Sequence, residues 1–408
     1  MSFEWSPLSA KQEKAIALST SRTNIWEGAV RSGKTVSSIV RWLEYLKTGP
    51  PGKKLIIGKT ERTVKRNLLD VVADIVGEKN FNYNRGMGEV TICGHKCEIA
   101  SANDERSESK IRGLTLAGAY GDEVSIWPES FFTMLLSRLS VAGAKFFGTT
   151  NPEGPFHWLK ENYIDREDEL DLSSFHFLLE DNLSLSQSYI ENLKKEYVGV
   201  WYRRYILGEW CLAEGLIYDM FDEDIHVVKE LPSITRYWVG VDYGTSNATA
   251  FILLGLGADG NLYICDEYKH AGTDLARSKT DAEYSKELQK WLGDKQPEWI
   301  FVDPSAKSFR TQLYRDRKKC PALKKVYKAN NDVLDGIRNV ASLLAAEKLF
   351  VFKKCTETIK EFSLYSWDEK AQERGEDKPI EKNDHAMDGL RYAVKTSNIY
   401  EKIMKTAA

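Results

Sequence analysis

Residues 28–35 read Gly-Ala-Val-Arg-Ser-Gly-Lys-Thr and satisfy the spacing G-x-x-x-x-G-K-[ST]. Their flanks matter as much as the octet. Thr23 to Glu27 (TNIWE) reads as a strand, and Thr35 to Leu46 (TVSSIVRWLEYL) places apolar residues at helical spacing directly after the turn. A glycine-rich turn between a strand and a helix points backbone N–H groups inward around phosphate oxygens. Lys34 then carries charge to the β and γ oxygens, and the Thr35 hydroxyl is offered to Mg²⁺. Gly28, Arg31, Ser32, Gly33, Lys34 and Thr35 are therefore the first candidate nucleotide-binding set. An ordinary glycine turn with a chance lysine would not need both flanks.

The rest of the first half supports an α/β layer with a mainly parallel sheet. Short apolar runs at Lys54 to Gly58 (KLIIG), Leu114 to Tyr120 and Ala144 to Gly148 are separated by helical patterns such as Glu61 to Val76. Asp122 and Glu123 follow the second of these strands: Asp122 suits a Mg²⁺ ligand, and Glu123 suits a carboxylate that polarises attacking water. The preceding residues, LTLAGAYG, are small rather than bulky, which departs from the usual strand before such a pair. The run Lys145 to Asn151 ends in Thr149, Thr150 and Asn151, polar groups that could bond a γ-phosphate and release it on hydrolysis.

Periodicity lapses between Tyr202 and Glu230, and we expect a connection at 206–232 between domains at 1–205 and 233–408. Beyond it, Tyr237 to Asp242, Ala248 to Leu256 and Leu262 to Tyr268 read as an antiparallel meander, the last two joined by Ala-Asp-Gly-Asn. Helix (274–292), a buried strand (Trp299 to Asp303) and more helix (333–346) follow, so the second half is α/β with a mixed sheet. Asp242 and Asp303 each end an apolar strand, a costly place for a carboxylate unless it binds something. Asp384, His385 and Asp388 fall at i, i+1 and i+4 of a helical segment. Separated carboxylates with a nearby histidine suit a two-metal phosphodiester hydrolase, in which two Mg²⁺ or Mn²⁺ ions sit roughly 3.5 to 4 Å apart. Asp242, Asp303 and Asp388 are the candidate ligands and His385 their assistant. The charged stretch 368–383 lies just before Asp384, where it could form a flap over that site.

At 408 residues the chain has room for two or three domains. Its 57 basic and 60 acidic residues leave a net charge of −3, which excludes a binder relying on bulk positive charge but not an enzyme with a local basic channel. The N-terminal MSFEWSPLSAKQEK has no apolar core of a signal, and no uncharged apolar run approaches the roughly 18 residues of a membrane span. A cytosolic protein without a membrane anchor is expected. The six cysteines are scattered and read as free thiols; Cys93, His95 and Cys97 lack a second ligand pair for zinc and fit a hairpin, EVTICGHKCEIA.

Taken in order, GAVRSGKT, Asp122-Glu123, GTTNPEGP, YRRYILGEW, VDYGTSN, FVDPSAKSF and NDHAMDGLRYAV resemble the large terminase subunits of tailed bacteriophages over nearly the whole length. The resemblance implies an N-terminal P-loop ATPase domain and a C-terminal nuclease domain with an RNase H-like fold. It implies ATP and Mg²⁺ at the first site, Gln12 against adenine, Glu123 on the lytic water, and Thr149 to Asn151 coupling hydrolysis to movement. The nuclease ions, Mg²⁺ or Mn²⁺, would fall to Asp242, Asp303 and Asp388. The transition-state arginine is either Arg31 in cis or, in our preference, Arg112 reaching a neighbour's site in a ring. Expected partners are double-stranded DNA, a small terminase subunit and the procapsid portal, in the host cytoplasm. A ring forms during packaging, from a chain that is monomeric in isolation. Two rivals remain at this point: a helicase-like ATPase whose second domain only binds DNA, and an assembly protein switched by nucleotide.

Overall fold

The computed structural model describes residues 7–244, 248–270, 279–382 and 384–407. The chain divides into two compact units, one comprising residues 1–194, 200–212 and 372–376 and the other 195–199, 213–371 and 377–408. The expected connection is thus shared out: residues up to Leu212 belong with the first unit, and those from Ala213 belong with the second.

The N-terminal unit is built on eight strands: β1 Thr23–Gly28, β2 Lys53–Gly58, β3 Phe81–Asn84, β4 Glu89–Ile92, β5 His95–Ser101, β6 Leu116–Gly121, β7 Lys145–Thr149 and β8 Leu172–Phe177. They lie in the order β3-β4-β5-β2-β6-β7-β1-β8. From β5 to β8 every pairing is parallel, and β3 and β4 add an antiparallel edge. The expected hairpin is β4-β5, turned by Cys93 and Gly94 at positive φ. All six residues of β1 and of β6 are buried, as a sheet covered on both faces requires.

The small residues of β6 have a packing cause. A Cβ at Gly118 would lie 2.6 Å from the Tyr45 ring, and one at Gly121 would lie 2.4 Å from Trp127. The strand is thin so that Tyr45, buried with its hydroxyl donating to the carbonyls of Ala117 (2.7 Å) and Gly143 (3.0 Å), can lie across it. The helix expected over 61–76 is continuous but not uniform: α-helical turns at Glu61–Val64 and Asp70–Val76 flank a π turn at Lys65–Leu69.

The C-terminal unit holds seven strands: β9 Val227–Val228, β10 Ile234–Asp242, β11 Thr249–Gly257, β12 Leu262–His270, β13 Trp299–Val302, β14 Val326–Lys328 and β15 Leu349–Phe352. Their order is β14-β13-β10-β11-β12-β15-β9. The β10-β11-β12 meander is antiparallel as expected, while β13, β14, β15 and β9 join in parallel, giving the mixed sheet. The helix expected from 274 is described from Asp281 to Leu292, with Thr280 and Glu283 forming a capping box; its first residues lie outside the described set. So do residues 245–247 of VDYGTSN and Asn383.

The helix His385–Ser397 packs on β10 at very short range. A Cβ on Gly240 would fall 1.7 Å from the carbonyl oxygen of Gly389, so two glycines must face each other where strand and helix cross. That approach brings the start of the helix to the C-terminal end of β10, where Asp242 stands. Among the described residues no helix is long and apolar enough to cross a membrane.

Candidate functional site

In the N-terminal unit β1 runs into the glycine-rich turn, and Gly33 (φ 82°) starts the helix Lys34–Thr48 without a side-chain cap. Such an uncapped start leaves first-turn N–H groups and the positive end of the helix dipole for an anion. Lys34 is buried. Its ammonium donates to the Gly28 carbonyl (2.9 Å), the Ala29 carbonyl and Asn151 Oδ1 (3.1 Å). Burial pushes its pKa down to about 7, against the pull of Glu27, Asp122 and Glu123.

Asp122 is held from two sides. Its Oδ1 accepts from the Thr149 hydroxyl at 2.8 Å and its Oδ2 from Asn67 Nδ2 at 3.2 Å. Burial raises its pKa even so. Glu123 takes a left-handed backbone (φ 53°, ψ 54°) directly after Asp122. Burial and the neighbouring Asp122 raise its pKa to about 7. Thr150 Oγ1 accepts from the Ser125 backbone N–H at 3.1 Å, tying the end of β7 to the turn after Glu123.

These groups line one cavity of about 540 Å³: Arg31 to Thr35, Asp122, Glu123 and Thr149 to Asn151. Gly28 is not among the lining residues and joins the site only as the acceptor for Lys34. Gln12 is placed behind the turn, its amide nitrogen 3.3 Å from the Gly33 carbonyl and its oxygen accepting from the Ser9 N–H at 2.8 Å in a capping box. Of the two arginines, Arg31 lines the cavity, whereas Arg112 is exposed and paired with Glu108 at 2.7 Å. Sequence reasoning missed three polar lining residues: Arg66 and Asn67 on the π turn, and Asn182, which donates to the Arg31 carbonyl at 2.7 Å. A π turn inserts one residue into a helix and leaves no composition signal.

In the C-terminal unit Asp242, Asp303, Asp384, His385 and Asp388 line a single cavity of about 780 Å³. β10 and β13 are parallel neighbours, so Asp242 and Asp303 emerge at the same sheet edge. Asp303 accepts from the Ser305 N–H (2.7 Å) and hydroxyl (2.9 Å). His385 Nδ1 lies 2.7 Å from Asp242 Oδ2, and this bond raises the histidine's pKa. Burial pushes Asp242 up to about 6 despite that partner, and Asp388 and Asp303 add like-charge repulsion. Asp384 rises to about 6, first through burial and then through Asp388. Asp388 is gripped by the buried Arg391, Nη2 to Oδ1 at 2.6 Å.

The helix carrying these groups has no side-chain cap of its own from Asp384. Instead buried Glu361 accepts from the N–H groups of Ala386 (2.7 Å) and Met387 (3.2 Å), while its other oxygen accepts from Lys269 at 2.9 Å. A carboxylate at that end also meets the positive pole of the helix dipole. Glu361 and Arg391 were not singled out from sequence; the i, i+3 spacing of Asp388 and Arg391 was the available signal.

Among the described residues, no three acidic, histidine or cysteine side chains already converge closely enough to enclose an ion. The donor set nevertheless fits a hard divalent cation: several carboxylates share one cavity, and two of them, Asp242 and Asp384, are disfavoured as anions by burial and by neighbouring acids.

Comparison with known proteins places each half of the chain in a family. Residues 25–225 match the family "Terminase large subunit, T4likevirus-type, N-terminal", and residues 242–396 match "Terminase RNAseH like domain". No curated protein sequence matches the chain. Among solved structures, the large terminase of a thermophilic bacteriophage is 40% identical over 97% of this chain and 99% of its own, with a TM-score of 0.88. The same phage protein in complex with ADP covers 94% of this chain and 98% of its own at 40% identity and a TM-score of 0.86. Its ATP-γ-S complex covers 96% and 99% at the same identity and score. The RNase H-like match removes the helicase-like rival with a non-catalytic second domain. The chain therefore belongs to the large terminase family, the ATPase and nuclease motors of viral DNA packaging.

Proposed function

We propose that the two cavities are the two catalytic centres of this motor, working on double-stranded DNA. The observation that carries the reading is the gathering of Asp242, Asp303 and Asp388, distant in sequence, on one cavity. These three carboxylates would hold two Mg²⁺ or Mn²⁺ ions, with His385 fixing the orientation of Asp242 through their 2.7 Å bond. When bound, the ions supply an activated water and stabilise the leaving oxygen of the cut phosphodiester. Arg391 keeps Asp388 turned to the cavity, and Ser305 does the same for Asp303.

At the other centre, the turn from Gly28 to Thr35 cradles the phosphates of ATP, Thr35 and Asp122 hold Mg²⁺, and Glu123 takes the proton of the attacking water. The bond between Lys34 and Asn151 and that between Thr149 and Asp122 connect the phosphate site to the end of β7, a route by which loss of γ-phosphate reaches the rest of the sheet. Gln12 meets adenine by exchanging its hold on Gly33. The transition-state arginine is either Arg31, which lines this cavity and would act in cis, or, in our preference, the exposed Arg112 acting in trans in a ring. A small terminase subunit and a portal complete the machine in the host cytoplasm, on a chain that is monomeric until it assembles. Residues Asp377, Lys378, Pro379 and Glu381, from the charged segment 368–383, line the nuclease cavity and act as its flap; deletion of that segment without any change in cutting would contradict this.

Calorimetric titration of Mn²⁺ into nucleotide-free protein tests the two-ion reading. Two equivalents in the wild type, reduced in Asp242→Asn, are expected; one equivalent, or no change in the variant, would contradict it.

A further inference from the structure

A second cavity, basic and of about 600 Å³, lies in the C-terminal unit between the helix Lys307–Asp316 and the edge strand β14. Lys307, Arg310 and Tyr314 recur at i, i+3 and i+7, one face of the helix, and Arg317, Lys324 and Lys328 also line the cavity. Among the described residues no carboxylate lines it. The last acid of the helix, Asp316, is engaged by Ser285 and Gln312. A merely solvated surface would mix both signs.

The aromatic groups here are unusually open. Tyr314 is 60% exposed and Tyr327 52%. The Arg317 guanidinium stacks 3.6 Å over the Tyr314 ring, and Tyr327 is backed edge-on by Trp299 at 4.6 Å, which carries Lys325 at 4.8 Å on its face. Planar groups alternating with cations match what a single nucleic-acid strand presents, since its phosphates take the lysines and its bases stack on rings and guanidinium planes. In a duplex the base faces are hidden, and the tyrosines would have nothing to meet.

The cavity also has an address. Arg310 donates to the carbonyls of Asp303 and Pro304 (3.1 Å to the latter), so the groove begins at the strand end that carries a nuclease carboxylate. We propose that this groove binds a single DNA strand beside the cutting centre, holding a cut or locally opened end by stacking on Tyr314 and Tyr327 and by phosphate contacts to Lys307, Lys324 and Lys328. The location rests on the nuclease reading of Asp303; the binding itself does not.

The test is fluorescence anisotropy of the full chain in EDTA, where no metal-dependent cutting occurs, with labelled oligo(dT) of about 20 nucleotides and a duplex of equal length. The double variant Tyr314→Ala/Tyr327→Ala is expected to bind the single strand roughly 10-fold more weakly and the duplex within about 2-fold of wild type. Tyr314→Phe/Tyr327→Phe restores single-strand binding. Independently, Lys307→Glu/Lys324→Glu lowers the salt dependence of single-strand binding by about 0.7 per lysine. Unchanged single-strand binding in the alanine variant, an equal loss on duplex, or competition by polyglutamate as strong as by oligo(dT) would overturn the proposal. Asp303→Ala, assayed for cutting, tests the nuclease reading separately, and it leaves oligo(dT) binding intact.

Discussion

In the N-terminal unit, consecutive residues from Gly28 to Thr35 supply most of the phosphate cradle, and the backbone between β1 and its helix gives them their shape. In the C-terminal unit, the acids come from positions 242, 303, 384 and 388 and converge only because β10 and β13 run side by side and Gly240 admits the helix at Gly389. The first site is a local turn whose geometry follows from a short motif. The second is a product of packing, and it depends on groups far from the chemistry. The two sites should therefore fail differently under mutation.

The largest difference is expected at Glu123. Glu123→Gln should lower ATP hydrolysis by ~10²- to 10⁴-fold while nucleotide binding and DNA cutting stay near wild type, because only proton transfer is lost. Steady-state ATPase assays beside nucleotide affinity check this. Retained hydrolysis would assign the water to another residue.

Arg391→Met sharpens the contrast from the other side. It removes the grip on Asp388 at a buried position and should lower cutting by ~10- to 100-fold, with a raised Mn²⁺ requirement and an unaltered ATPase. Arg391→Lys should not rescue it, since Nε and Nη2 both reach Asp388. A variant with normal metal dependence would break the claim that this site is assembled by supporting side chains.

A packing variant comes next. Gly240→Ala drives a methyl group into the Gly389 carbonyl and should destabilise the C-terminal unit by ~1 to 3 kcal/mol, read as an earlier melting transition with reduced cutting. The N-terminal unit should melt as before.

The smallest expected effect concerns thiols. Burial raises Cys97 and Cys265 to about 12 and raises Cys211 and Cys355 as well, so brief alkylation at about pH 8 should modify Cys93 and Cys320 and spare these four. Mass spectrometry of the labelled native protein decides it.

The difference between the sites also explains what could be read in advance. The P-loop, the two sheet types, the β10-β11-β12 meander and the Asp384-His385-Asp388 spacing all follow from local periodicity, and the structure contains them. The strand before Asp122 looked weak because its small residues were judged alone; Tyr45 and Trp127 supply the missing bulk from other elements. Asn67 escaped notice because its partner Asp122 is 55 residues away in the sequence, and nothing near Asn67 announces the contact. Glu361 escaped because a buried carboxylate holding the start of another helix has no sequence neighbour to announce it. Of the two candidate arginines, Arg31 lines the ATP cavity and Arg112 does not, a distinction that their neighbours in sequence do not carry.

The central claim is that two separate catalytic centres share this chain, and plasmid cleavage with Mn²⁺ or Mg²⁺ tests it most directly, run beside ATP hydrolysis for wild type, Asp303→Ala and Lys34→Ala. The account predicts that Asp303→Ala loses cutting and keeps ATPase activity, while Lys34→Ala loses ATPase activity and keeps cutting. A wild-type protein that hydrolyses ATP but cuts nothing with either metal, or an Asp303→Ala variant that cuts normally, would contradict it.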